Sequence, residues 1–227
     1  MEEEKATPYP LWTEDIFDVV CESTTDYGKP IVYQGTTITN ALKDYYTFST
    51  NREKIEVLKW IVAQPYFTEL RRLSTAENKI YTLYTNQYNE ILKTGETPNN
   101  LQIAQKFVAN GYDVFLLANP HNTKSADFII RQKNKLFYVE GKTSSGGSAL
   151  SVRLREGAQQ SEIIAVNFSN YPKFHELLTF IKRAFEGNST LRAIVLFKKA
   201  RMITISCKLL KAPNGENIFY KVWNLKK

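Results

Sequence analysis

Cysteine is scarce in this chain: of 227 residues only Cys21 and Cys207 are cysteines, and they lie far apart. Without partners at metal spacing they build neither a disulfide framework nor a cysteine metal cluster, and they read as small core residues. Glycine and proline are also few, at 10 and 8, and with 43% hydrophobic residues this excludes low-complexity and disordered classes. No apolar run approaches the ~18–20 residues that cross a bilayer. The acidic start Met1-Glu2-Glu3-Glu4-Lys5 lacks the basic-then-apolar pattern of a signal peptide. The chain is therefore expected to act in the cytoplasm as written, or as a piece delivered into a target cell within a larger protein. Histidine is limited to His121 and His175, so any site rests mainly on carboxylates and lysines.

What is abundant is positive charge, unevenly placed. Residues 1–141 carry 15 Lys+Arg against 18 Asp+Glu, whereas residues 142–227 carry 15 against 5, a net of −3 followed by +10. A basic second half suits contact with a polyanion.

Up to residue 95 the pattern reads as α-helical. Residues 1–10 are a loose lead-in, and Thr13-Glu14-Asp15 caps a short helix that Gly28-Lys29-Pro30 breaks. A further helix ends near Tyr46. Ser49-Thr50-Asn51 caps one carrying Ile55, Leu58, Ile61 and Val62, which Pro65 ends, and Thr75-Ala76-Glu77 starts another with Ile80, Leu83, Tyr84, Tyr88 and Ile91 on one face. The tyrosines of this half read as helix-face core and rim. Lys93 to Pro98 marks a boundary, dividing the chain into a helical domain at 1–95 and a second domain at 96–227.

The second domain is mixed α and β. A helix capped at Asn99 or Asn100 stops at Asn110-Gly111, and a strand runs from Tyr112 to Leu117. A polar loop (Asn119–Lys124) then leads to Ser125–Thr143, which reads as a β-hairpin of Phe128-Ile129-Ile130 and Leu136-Phe137-Tyr138-Val139. A glycine-rich turn at 144–148, a helix over 150–163 and a strand at 164–166 complete the order α-β-β-β-α-β. A helix over 172–185, strands at 193–197 and 202–206, and a possible edge strand at 218–225 follow. The fold class is α+β.

The hairpin carries the candidate chemistry. Side chains of a strand alternate faces, so Glu140 and Lys142 point the same way at the end of the second strand, with Asp127 at the start of its neighbour. Two converging carboxylates suit a hard divalent cation, and an adjacent ammonium suits a phosphate. Arg153 and Arg155 on the following helix are candidate phosphate clamps, with Gln159 and Gln160 as base or supporting contacts. Lys198 and Lys199 form a basic hairpin tip and are further candidate nucleic-acid contacts. His121 lies in the loop before Asp127, where a ligand or general-base role is open to it.

The acid, the hairpin and Glu140-Gly141-Lys142 resemble the Asp…(Asp/Glu)-x-Lys signature of the PD-(D/E)xK nuclease superfamily. With Asn99–Val114, Phe115-Leu116-Leu117 and Leu154–Asn167, the stretch from about 96 to 200 resembles the C-terminal tRNase domain of contact-dependent growth inhibition toxins. The resemblance implies a restriction-endonuclease-like core and a metal-dependent endonuclease, cutting tRNA in preference to DNA. Asp127, Glu140 and the Gly141 carbonyl would hold Mg²⁺, Mn²⁺ or Zn²⁺, and Lys142 would stabilise the transition state. It also implies an acidic immunity protein as partner. The related domains often place an acid on the first core helix, where this chain has Asn99, Asn100 and Gln102; Glu96, just ahead, is the candidate substitute. Two other readings stand beside this one. The first is a metal-independent RNase of the barnase and colicin type, using His121, Lys142 and Arg153. The second is a non-catalytic nucleic-acid-binding or phage structural module.

Overall fold

The computed structural model describes residues 32–65, 67–83, 97–117, 125–133 and 135–225. They form an α+β fold around one eight-stranded mixed sheet whose strands lie in chain order, flanked by helices on both faces. The elements are α1 (Ile38–Thr47), α2 (Asn51–Val62), β1 (Phe67–Glu69), β2 (Ile80–Leu83), α3 (Thr97–Val108), β3 (Asp113–Leu116), β4 (Phe128–Gln132), β5 (Lys135–Ser144), α4 (Gly147–Ala158), β6 (Ile163–Phe168), α5 (Phe174–Gly187), β7 (Ala193–Lys198), β8 (Arg201–Ser206), α6 (Cys207–Lys211) and α7 (Gly215–Asn224). The run α3-β3-β4-β5-α4-β6 is the expected α-β-β-β-α-β order.

Alternation along the strands sorts the core into layers. On one face α3 presses Ile103, Phe107 and Val108 onto Phe128, Val139, Ala165 and Phe197. On the other face two helical groups share the surface. Helices α1 and α2 bury Leu42, Tyr45 and Ile61 against Phe115, Ile129 and Tyr138, while α4, α5 and α7 bury Leu150, Leu177, Ile181 and Trp223 against Ile164, Val166 and Leu196. The described parts of residues 32–83 are thus packed on the same sheet as the α-β-β-β-α-β core, α1 and α2 through this cluster and β1 and β2 as strands.

Side-chain caps start the first two helices. Thr50 and Glu53 form a reciprocal capping box on α2, at the cap the sequence marks, and the Thr37 hydroxyl accepts from the Asn40 N–H at the start of α1. Gly146, at φ 84°, turns the chain from β5 into α4, and a Cβ there would meet the Asn170 carbonyl at 3.1 Å.

Three expectations are corrected. Residues 80–83 are strand rather than helix: Ile80 is fully buried, and β2 pairs with β1 and, in parallel, with β3. Sheet pairing overrides the helical spacing of Ile80 and Leu83, which is ambiguous over so short an apolar run. Phe67–Glu69 adds a further strand to a half read as wholly helical. Residues 215–224 are helix rather than edge strand, because Phe219 and Trp223 at i and i+4 bury one helical face. The readings on residues 1–31, on 84–96 and on the 118–124 loop, including Cys21, Glu96 and His121, lie outside the described residues. Cys207 is half-buried at the start of α6.

Candidate functional site

Strand β5 changes partners midway, and the site lies at the change. Its first half runs antiparallel to β4, from Gln132 opposite Lys135 to Phe128 opposite Val139. From Glu140 onward it runs parallel to β6, Glu140 opposite Ile164 and Ser144 opposite Phe168. Beyond the β4 ladder the Gly141 N–H is available to a side chain, and it donates to Asp127 Oδ2 at 2.9 Å. In a strand the N–H and C=O of one residue project to the same edge, so the Gly141 carbonyl projects beside Asp127 as well. Asn100 of α3 donates from Nδ2 to the other Asp127 oxygen at 3.1 Å. Glycine is required at 141, because a Cβ would lie 2.6 Å from Phe128 Cε2 and 3.2 Å from Ile103 Cδ1.

Glu140 is 2% exposed, and its Oε1 pairs with Lys142 Nζ at 2.6 Å. Its Oε2 is buried with no amide, hydroxyl or ammonium donor and lies against the Asp127 carboxyl, close enough for the two acids to share a proton. Burial, and then the negative charge of Asp127, push the Glu140 carboxyl up to about 8, against the opposing pull of Lys142. These three side chains share an open pocket of about 240 Å³ whose wall Asn99, Asn100, Ser125, Thr143, Arg153 and Gln160 complete. The hydroxyls of Ser125 and Thr143 are also buried without a hydrogen-bond partner.

The donor set fits a small hard cation. A buried carboxylate oxygen without an amide, hydroxyl or ammonium donor, a second carboxylate facing it and a carbonyl at the same edge are oxygen ligands of the kind Mg²⁺ takes while keeping several waters. Among the described residues no group of three His, Cys, Asp or Glu side chains converges. The first core helix supplies an amide instead of an acid: Asn100 orients Asp127 by donating to it.

The other expected residues separate. Arg153 lines the pocket and pairs with Glu156 at 2.9 Å. Arg155 and Gln159 instead line a second groove, of about 260 Å³, between α4 and α5 with Phe180, Arg183 and Asn188. Lys198 donates to the Trp223 carbonyl and sits 4.3 Å from that indole's centroid, where with Arg201 it satisfies the last carbonyls of α7. Lys199 is exposed in the β7–β8 turn at φ 56°. Gln102 bonds Asn167.

Sequence reasoning missed Tyr46. Its hydroxyl accepts from the Ala126 N–H at 3.0 Å and donates to the Gln160 carbonyl at 2.6 Å, tying α1 to the residue before Asp127 and to the end of α4. Burial is the largest cause raising its pKa; the Ala126 hydrogen bond opposes it, and the charges of Glu140 and Asp127 raise it further. No local signal marks it, since the three segments meet only in the fold.

No protein-family model matches the sequence, and no curated protein does. Among solved structures, a chain described as "CdiA-CT/CdiI toxin and immunity complex from Burkholderia pseudomallei" is similar to this one with a TM-score of 0.35 and 18% identity, over 51% of this chain and 87% of that chain. A likeness of that size carries no weight for the chemistry, which rests on the residues. Among the described residues no helix is long and apolar enough to cross a membrane.

Proposed function

We propose that this protein is a metal-dependent endonuclease that hydrolyses phosphodiester bonds in nucleic acid, tRNA ahead of DNA, in the pocket of Asp127, Glu140 and Lys142. The observation that carries this reading is the buried carboxyl of Glu140, with one oxygen on Lys142 and the other set against a second carboxyl with no amide, hydroxyl or ammonium donor. Such an arrangement is costly in isolation, and a divalent cation relieves it.

Asp127, Glu140 and the Gly141 carbonyl would hold Mg²⁺ or Mn²⁺, with Zn²⁺ as a further candidate. Bound there, the ion supplies the charge that polarises a phosphoryl oxygen and acidifies a water. The chain's own groups do the rest. Asn100 and the Gly141 N–H fix both Asp127 oxygens, so the carboxylate needs little reorganisation on binding. Lys142, 16% exposed and held by Glu140, places a fixed positive charge where negative charge develops on the phosphoryl oxygens. Arg153, half-exposed at the pocket rim, is the candidate clamp on a flanking phosphate.

The net of +10 beyond residue 141 suits the substrate and equally an acidic partner protein that would cover the pocket, as an immunity protein covers a toxin. Under the toxin reading, production of the chain alone arrests growth, and Glu140→Gln abolishes the arrest.

The test is incubation with total tRNA and with plasmid DNA, each in Mg²⁺, Mn²⁺, Zn²⁺ or EDTA, with Asp127→Ala and Lys142→Ala alongside. The expected result is metal-dependent cleavage lost in both variants, with the substrate arm identifying the nucleic acid. Cleavage that persists in EDTA assigns the metal-independent RNase reading, and binding without cleavage under every condition assigns the binding-module reading.

A further inference from the structure

A second polar cluster lies on the α3 face of the sheet, next to the pocket. Asn167 of β6 is 6% exposed and stands opposite Thr143 of β5. Its Oδ1 accepts from Lys106 Nζ at 2.7 Å, and its Nδ2 donates to Gln102 Oε1 at 3.3 Å. Lys106 also reaches the Lys199 carbonyl at 3.5 Å and lies 5.7 Å from the Phe197 ring centroid. Its partners are therefore neutral: Lys106 makes no ion pair among the described residues, whereas Lys54, Lys59 and Lys79 pair with carboxylates. Burial holds its pKa below that of a solvated lysine. A half-buried ammonium without a counter-charge is costly, and an incoming anion offsets that cost.

The position indicates which anion. Strands β5, β6 and β7 are parallel, so Lys142, Thr143, Asn167 and Lys199 gather at one edge, the carboxyl ends of the strands, where open α/β sheets bind ligands. Along α3, Asn99, Gln102 and Lys106 follow helical spacing on one side, and Asn99 already lines the pocket. From β5 to β7 is two strand spacings, about 10 Å, within the reach of a short run of nucleotides.

We propose that Lys106, held by Asn167 and the Lys199 carbonyl, binds a backbone phosphate of the nucleic acid adjoining the scissile one, with the strand laid across the carboxyl ends of β5, β6 and β7. This rests on the nuclease reading of the pocket and adds a binding register to it.

The test is fluorescence anisotropy of the full chain with a 2′-O-methyl RNA of ~12 nucleotides, in EDTA so that neither chemistry cleaves it, and in parallel with single-stranded DNA of the same sequence. Affinity is measured from low to moderate salt for wild type, Lys106→Met and Lys106→Arg. One phosphate contact contributes ~0.7 to the slope of log K against log salt for a single strand. The expected result is a slope shallower by about that amount, with roughly tenfold weaker binding at low salt, in Lys106→Met, and restoration in Lys106→Arg. The arm that shows the change identifies RNA or DNA as the strand that lies there. If wild type binds and Lys106→Met keeps its slope, the Lys106 site is wrong and the nuclease reading stands. If Lys106→Arg fails like Lys106→Met, the role is packing and the proposal is overturned. If wild type binds neither probe, the Lys106 proposal falls, and the nuclease reading is decided separately by the cleavage of tRNA and plasmid in the presence of metal.

Discussion

Lys142 and Lys198 each stand near the carboxyl end of a strand in the basic half of the chain, yet they do opposite work. Lys142 is paired with a carboxylate that is itself buried, its second oxygen without an amide, hydroxyl or ammonium donor, beside another acid in an open pocket. Lys198 is used up internally: its ammonium lies on Trp223 and on a carbonyl at the end of α7. The difference shows that positive charge alone does not mark a site. What marks it is whether the cation's neighbours are themselves satisfied. Around Lys198 every partner is a carbonyl or a ring that gains from the contact, whereas beside Lys142 the second oxygen of Glu140 has no amide, hydroxyl or ammonium donor and the hydroxyls of Ser125 and Thr143 have no donor or acceptor of their own.

The contrast is sharpest in catalysis. Lys142→Met is expected to reduce cleavage by ~10²–10³-fold in steady-state assays, as for loss of a preorganised charge at the transition state. Lys198→Met keeps cleavage near the wild-type rate and instead lowers unfolding stability by ~1–3 kcal/mol, the loss of a charged hydrogen bond and a cation–π contact, read by denaturant titration. Equal catalytic losses in the two variants would erase the distinction.

Stability against pH probes the same frustration. Glu140 is raised to about 8 in the folded protein, above its usual value of 4.5. A carboxyl raised in the folded state contributes stability below its unfolded pKa and loses it as pH rises through the folded one. The metal-free protein should therefore lose stability as pH rises from 4.5 to about 8, and Glu140→Gln should flatten that profile and melt higher than wild type at the alkaline end. Saturating Mn²⁺ should raise the melting temperature of wild type and leave that of Glu140→Gln nearly unchanged.

The smallest effect is expected at Tyr46. Tyr46→Phe removes a donor to the Gln160 carbonyl and an acceptor for the Ala126 N–H, costing ~1–2 kcal/mol and slowing cleavage several-fold through the position of Asp127. A rate loss on the scale of Lys142→Met would mean that Tyr46 touches the reacting groups.

The legible part of this molecule is what short-range period and spacing encode. Glu140 and Lys142 share a face because strands alternate, and Asp127 faces them because β4 and β5 form a hairpin of near-adjacent segments. The α-β-β-β-α-β order followed from helix and strand patterns in the same way. What escaped depends on distant pairing. Ile80 became strand because β3 was there to pair with it, 34 residues on at Val114. The Asn100 amide gained its role only when α3 crossed the start of β4, and the basic tip at Lys198 turned inward because α7 ended beside it. The change of partner midway along β5, which creates the pocket, leaves no trace in composition.

The most direct measurement is the rate of tRNA and plasmid cleavage by wild type and Glu140→Gln in Mn²⁺, with nucleic-acid affinity determined on the same preparations. Metal-dependent cleavage that falls by at least ~10²-fold in Glu140→Gln, with binding retained, is the predicted result. Cleavage by Glu140→Gln at the wild-type rate, or wild-type cleavage undiminished in EDTA, would contradict the assignment of this pocket.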